Sequence, residues 1–104
     1  MNYTGPVNVN VDEGVGTVLG TLHPLGKNPP AYASLVLVLL DPATKQVITS
    51  TSPNANGYYN FKNILVGNYI ISIAKGETAT SPYLPREFYV GNRETIELDP
   101  GIAF

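Results

Sequence analysis

The run of residues 56–73 constrains the fold of this chain more than any other part of the sequence. It begins with Asn56-Gly57, a pair that adopts positive φ readily and therefore suits a tight reversal. Side chains alternate along the extended chain that follows, and Gly67-Asn68 predicts a second reversal before the alternation resumes. The run therefore predicts turn, strand, turn, strand, and its inward-facing residues are Tyr59, Phe61, Tyr69, Ile71 and Ile73.

The composition predicts an all-β domain. Of the 104 residues, 43% are hydrophobic and 13% are charged, which supplies apolar material for one packed core. The 10 glycines and 9 prolines imply many turns, and no window has the apolar spacing of an amphipathic helix. Strand signals recur at roughly the 8–12-residue spacing of a sandwich. We expect a single-domain, immunoglobulin-like or prealbumin-like antiparallel β-sandwich of about seven or eight short strands.

Apolar and β-branched runs predict the remaining strands. Residues 34–40 are apolar at nearly every position, as expected of a central strand covered on both faces. Residues 46–52 predict a polar, threonine-rich strand. Proline and glycine collect at 23–32 and 75–85, which predicts two long loops. Further strands are predicted at 15–22, 87–90 and 93–98, the last with Ile96 and Leu98 facing inward.

Six segments, taken in order, carry a resemblance to a known family: Gly16-Thr17-Val18, residues 30–37, residues 56–61, Asn63-Ile64, residues 67–71 and residues 95–98. Together they resemble the carboxypeptidase regulatory-like domain, a transthyretin-like sandwich related to the Cna protein B-type repeats. The resemblance implies an accessory, adhesive or spacer role and no particular activity. It divides the chain into an N-terminal strand or extended arm (1–14), the sandwich (15–99) and an apolar C-terminal tail (100–104).

Catalytic and metal-binding groups are sparse. His23 is the only histidine, and it precedes a proline in a predicted loop with no paired acid or nucleophile beside it. The acidic groupings Asp12-Glu13 and 94–99 lack the spacing of a calcium loop. We therefore expect no enzyme activity, no metal and no cofactor. The Cna repeats often carry a lysine–asparagine crosslink, but no lysine lies between Val7 and Leu22, where that family places it.

Tyrosine is abundant, which leaves a carbohydrate-binding interpretation open. The chain has 7 tyrosines and 3 phenylalanines. Alternation assigns some of these rings to the core, and strands also use tyrosine for packing alone. The tyrosines that the pattern leaves free to be exposed are Tyr3, Tyr32, Tyr58, Tyr83 and Tyr89.

The termini and the two long loops are the predicted interaction surfaces. Residues 7–11 read Val-Asn-Val-Asn-Val, an uncharged β-branched segment that could add a strand to its own sheet or to that of a neighbour. The apolar tail is expected either to dock on the domain or to enter a partner. The candidate interaction residues are Tyr32, Tyr83, Leu84, Val7, Val9, Val11, Ile102 and Phe104.

These features predict a non-enzymatic structural or interaction module that works in a protein assembly. Its partners would be other protein subunits, a homo-oligomer being one arrangement. The net charge of −2 with scattered basic residues predicts no nucleic-acid or membrane partner. The start lacks a signal peptide, so we expect a cytoplasmic or virion location if Met1 is the native start, and a bacteriophage head-decoration, tail or baseplate component is one hypothesis. The alternative is a carbohydrate- or surface-binding accessory module of a larger secreted protein.

Overall fold

The computed structural model of the protein describes residues 14–104, which form nine β-strands and one short 3-10 turn at Tyr32–Ser34. The strands are β1 Val15–Thr21, β2 His23–Leu25, β3 Leu37–Leu40, β4 Val47–Thr51, β5 Tyr58–Leu65, β6 Gly67–Ile73, β7 Arg86–Val90, β8 Thr95–Glu97 and β9 Gly101–Ala103.

Seven of the nine strands form two sheets that pack as a sandwich, as predicted. One sheet has the order β4-β3-β6-β7, and each neighbouring pair in it is antiparallel. The other has the order β5-β1-β8, with β1 antiparallel to β5 and parallel to β8. The short strands β2 and β9 follow β1 and β8 in the chain and pair with each other in parallel. The core between the sheets includes Val18, Leu37, Leu39, Tyr59, Phe61, Ile71 and Val90.

The predicted turn at Asn56-Gly57 is found, and the predicted alternation holds from Tyr58 to Phe61. In β6, Ile70 is buried as well as Tyr69 and Ile71, so the alternation does not extend through that strand. Gly57 has φ +84°, and a Cβ at this position would lie 3.1 Å from the Leu22 carbonyl oxygen, so both the conformation and the space favour glycine. Tyr59 and Phe61 are buried and meet edge to face, with their ring centroids 5.9 Å apart. The second reversal falls at Val66, one residue before the predicted position, because β5 ends at Leu65 and β6 begins at Gly67.

Strand β3 is a central strand, also as predicted. Leu37, Val38 and Leu39 are all buried, and β3 lies between β4 and β6. The strand begins three residues later than expected, because the 3-10 turn at Tyr32–Ser34 precedes it. The Ser34 hydroxyl stabilises this turn by donating a hydrogen bond to the Ala31 carbonyl at 3.0 Å.

The predicted loop at 23–32 requires correction, whereas the apolar tail at 100–104 docks on the domain, which was one of its two expected outcomes. The start of that loop is β2, and the tail contains β9, which pairs with β2 in the register His23 with Gly101 and Pro24 with Ile102. On its other side, β9 meets Thr80: the Thr80 N–H donates to the Ala103 carbonyl at 2.9 Å, and the Ala103 N–H donates back at 2.7 Å. The tail is therefore an integral part of the sandwich.

Three candidate interaction residues are consequently placed inside the domain. Ile102 is fully buried, and Tyr32 is 6% exposed. Phe104 is half-buried and meets the Tyr32 ring edge to face, with a centroid distance of 5.3 Å. The expectation that Tyr32 is an exposed loop residue is wrong, because the C-terminal segment folds back and covers its ring.

Candidate functional site

The most exposed aliphatic side chains of the described residues lie on one long flank of the sandwich. Val47 is 60% exposed and Ile48 is 50% exposed on β4, and Leu65 is 60% exposed at the end of β5. Strand β4 is one of the two outer strands of its sheet, and β5 is one of the two outer strands of the other. We call this surface the β4–β5 flank and define it as residues 47–49 of β4 and 62–65 of β5.

An irregularity in β4 determines which way its side chains point. Leu39 of β3 pairs with Thr49, whereas the next residue, Leu40, pairs with Val47, so Ile48 is an extra residue in the ladder. Such a bulge redirects side chains locally. Ile48 and Thr49 both line the cleft between β4 and β5, while Val47 lines a depression on the outer face of the sheet.

A second irregularity shapes β5. The register with β1 shifts between Gly16 and Val18, and Asn63 has φ +57°, a left-handed conformation that asparagine tolerates better than most residues. The alternation of β5 consequently breaks at Lys62 and Asn63, which are both exposed. The strand resumes with Ile64 facing the core and Leu65 facing solvent.

The cleft between these two strands has a volume of about 230 Å³, and both aliphatic and polar side chains line it. Tyr69 contributes to its base, and its hydroxyl donates a hydrogen bond of 2.5 Å to the Leu65 carbonyl. Burial raises the pKa of Tyr69, so this donor stays protonated further into the alkaline range than an exposed tyrosine. The cleft can accept aliphatic side chains, and the free side of β4 presents backbone groups at alternate residues. Its lining residues are Ile48, Thr49, Lys62, Asn63, Ile64, Leu65 and Tyr69.

A smaller cleft of about 120 Å³ lies on the opposite side of the sandwich. The exposed Tyr83 lines it together with Arg86 at the start of β7 and Asp99 between β8 and β9. Asp99 also accepts a hydrogen bond of 2.8 Å from the Thr21 N–H. Next to this region, the buried Tyr59 hydroxyl donates to the Leu98 carbonyl at 2.7 Å. Burial raises the pKa of Tyr59, and the negative charges of Asp99 and Glu97 raise it further.

Catalytic groups do not converge within residues 14–104. In this range no group of three or more His, Cys, Asp or Glu side chains is arranged to hold a metal ion. His23 is exposed on β2. The four lysines Lys27, Lys45, Lys62 and Lys75 are all exposed, so none is buried beside an asparagine in the manner of an internal crosslink. No helix of the described chain is long and apolar enough to span a bilayer.

The remaining candidate residues fall into two groups. Tyr83 is 58% exposed, while Leu84 is half-buried and packs against the core. Val7, Val9 and Val11 lie outside the described residues. The structure therefore brings Tyr83 and Leu84 together at the smaller cleft and keeps Tyr83 available to a ligand.

The sequence patterns alone did not point to Val47, Ile48 or Leu65. Residues 46–52 were predicted as a polar strand, yet they contain two adjacent large aliphatic residues and no charged residue. Adjacent aliphatic residues cannot both face the core of a regular strand, so one of them signals either a bulge or an exposed apolar position. The position of β4 at a sheet edge depends on the topology, so the sequence of the segment could not predict it.

Comparisons with known proteins identify the fold. Neither a family model nor a curated protein sequence matches this chain. Among solved structures, it is similar to GBS52, the minor pilin of Streptococcus agalactiae, with a TM-score of 0.66 and 9% identity over 86% of this chain. It is also similar to BcpA, the major pilin subunit of Bacillus cereus, with a TM-score of 0.60 and 20% identity over 86% of this chain. The Bacillus anthracis TIE protein gives a TM-score of 0.54 and 14% identity over 85% of this chain.

These similarities support the predicted immunoglobulin-like or prealbumin-like β-sandwich fold. They do not confirm the narrower carboxypeptidase regulatory-like assignment. The chain corresponds to 44% of GBS52, 30% of BcpA and 16% of the TIE protein, so it matches one part of each larger chain. None of these three is described as a virion component, and the bacteriophage hypothesis gains no support.

Proposed function

We propose that this chain is a non-enzymatic β-sandwich module that works by protein–protein contact within an assembly. The observation that carries the proposal is the β4–β5 flank, where Val47, Ile48 and Leu65 are each at least half exposed beside an open sheet edge. Exposed apolar side chains and an uncharged sheet edge together promote association, and natural monomers usually protect such edges.

The similarity to two pilins agrees with this role. GBS52 and BcpA are subunits of pili, and this chain shares their sandwich architecture at 9% and 20% identity. Fold similarity at that level supports the proposal by analogy, while the flank supplies the physical reason.

The native mass of the protein tests the proposal. An extract of the source organism is separated by size exclusion without denaturant, and the protein is detected with an antibody. We expect elution at a mass well above that of the same protein on a denaturing gel. Elution at the mass of the denatured chain, over the whole range of loading concentrations, would rule out an assembly role.

A second candidate function rests on the smaller cleft. Tyr83 offers an exposed aromatic face next to the charged hydrogen-bonding groups of Arg86 and Asp99, a combination that suits a sugar ring. Chemical-shift mapping with a panel of oligosaccharides tests this carbohydrate-binding alternative. Shifts confined to these three residues would support it, and unchanged spectra at millimolar sugar would exclude it.

A further inference from the structure

We propose that the open edge of β4 accepts residues 7–11 of a second copy of this chain as an additional antiparallel strand. The inference rests on the proposed assembly function and names the partner and the contact. Strand β4 pairs with β3 on one side, and its other side is free among the described residues. The donated segment would continue the sheet and cover Ile48 and Leu65, the exposed apolar side chains of the cleft between β4 and β5.

The edge strands differ in how well they resist such pairing. Strand β5 carries Lys62 and an irregular register, β7 carries Arg86 and Glu87, and β8 has only three residues. Charge and shortness are two ways in which proteins protect sheet edges. Residues 46–52, by contrast, contain neither a charge nor a proline. The bulge at Ile48 is the one protective feature of β4, and the strand is regular from Thr49 to Thr51.

Residues 7–11 complement this edge. Their Val-Asn-Val-Asn-Val order places the valines on one face of a strand and the asparagines on the other. In the added strand, the valine face would meet Ile48, Ile64 and Leu65 in the cleft, and the asparagines would face solvent. The segment and strand β4 match in length, because each has five residues.

Charge favours the antiparallel direction. Asp12 and Glu13 follow the valine segment in the sequence. An antiparallel strand brings its C-terminal end to the beginning of β4, where Lys45 precedes Val47 by two residues. Lys62 also lines the cleft. The acidic pair would then pass close to a basic side chain, which favours this orientation over its reverse.

The described chain begins beside the end of β5. The Gly14 carbonyl accepts a hydrogen bond from the Val66 N–H at 3.2 Å, and Val15 pairs with Leu65. We assign the donor to a second copy because the proposed function is assembly, and self-association distinguishes this arrangement from docking within one chain.

Four single-lysine substitutions in the full chain test the proposal. Val9→Lys places a charge on the valine face of the donor, and its control Asn8→Lys places the same charge on the opposite face. Ile48→Lys blocks the acceptor edge, and its control Tyr89→Lys alters β7 at a position of similar exposure, 53% against 50%. Because the described sites are exposed, melting temperatures should stay close to wild type, and circular dichroism verifies the fold of each variant.

Sedimentation equilibrium from about 10 µM to 1 mM gives the dissociation constants. We expect the wild type to self-associate, Val9→Lys and Ile48→Lys each to weaken association by about tenfold or more, and both controls to stay near wild type. A mixture of Val9→Lys with Ile48→Lys should then form a one-to-one complex, because one variant keeps the acceptor and the other keeps the donor.

Each other result overturns the inference. If Ile48→Lys dissociates the complex while Val9→Lys does not, two β4 edges pair directly. If only Val9→Lys matters, the segment binds elsewhere. A mixture that stays monomeric excludes donor exchange. If the wild type is monomeric throughout, the inference fails, whereas the proposed function is judged separately by the native mass.

Discussion

Two uncharged apolar regions at the edge of this sandwich differ in how far their side chains are buried. The C-terminal segment is covered on all sides: Ile102 is fully buried, β9 has neighbours at both edges, and Phe104 packs on Tyr32. Strand β4 is paired on one side and leaves Val47 and Ile48 at least half exposed. Similar composition therefore leads either to a buried segment or to an exposed one, and the number of neighbouring strands decides between them.

The largest expected effect comes from shortening a side chain in the C-terminal segment. Ile102→Ala removes fully buried methyl groups and leaves a cavity, so the free energy of unfolding should fall by about 2–5 kcal/mol. The matched change Ile48→Ala on β4 should alter it by less than about 0.5 kcal/mol. Urea denaturation measures both. Equal effects of the two substitutions would show that the proposed contrast between the regions is wrong.

Tyr32 and Tyr83 allow a second comparison between a buried and an exposed side chain. Tyr32→Ala removes a buried ring together with its contact to Phe104, and we expect a loss of about 3 kcal/mol or more. Tyr83→Ala removes a ring that is 58% exposed, and we expect a change within about 0.5 kcal/mol. Thermal melts of the two variants provide the comparison. A stable Tyr32→Ala variant would mean that the C-terminal segment does not hold this ring in solution.

A smaller effect is expected at the hydrogen bond between Tyr59 and the chain leading into β9. Tyr59→Phe keeps the ring but removes the hydroxyl that donates to the Leu98 carbonyl, so the cost should be about 1–3 kcal/mol. The control Tyr58→Phe concerns a neighbouring ring that is half exposed, and it should be nearly neutral. If both substitutions cost the same, the buried hydrogen bond contributes nothing specific.

The pH dependence of stability follows from the same hydroxyl. Burial, followed by the charges of Asp99 and Glu97, raises the pKa of Tyr59 in the folded state above its value in the unfolded chain. The folded state therefore holds its proton more tightly, so the stabilisation is complete below pH 10 and declines as the pH rises above it. Denaturation at pH 8 to 11 should show stability falling at the alkaline end, and Tyr59→Phe should reduce the slope. An unchanged slope would mean that other groups cause the loss of stability at alkaline pH. Tyr32 and Tyr69 are two such groups, because burial also raises their pKa values.

Local patterns in the sequence predicted the features that depend on neighbouring residues. The reversal at Gly57, the inward rings of β5 and β6, and the burial of β3 follow from backbone preference and side-chain alternation. Each of these requires only a few adjacent residues. The β-sandwich itself follows from the recurrence of such segments along the chain.

Features that depend on distant pairing could not be predicted in the same way. Strands β2 and β9 have three residues each and lie far apart in the sequence, and β2 contains Pro24, which argued for a loop. The burial of Tyr32 depends on Phe104 reaching it from the chain end. The exposure of Ile48 depends on β4 being an outer strand with a bulge. Topology determines each of these outcomes.

Amide hydrogen exchange as a function of protein concentration tests the central claim most directly. If β4 accepts a strand from another copy, the N–H groups on its free side should exchange more slowly as concentration rises, while those of the charged edge strand β7 should not change. Protection of β4 alone is the result that this account predicts. Exchange at β4 that is independent of concentration, or protection that rises equally at β4 and β7, would contradict it.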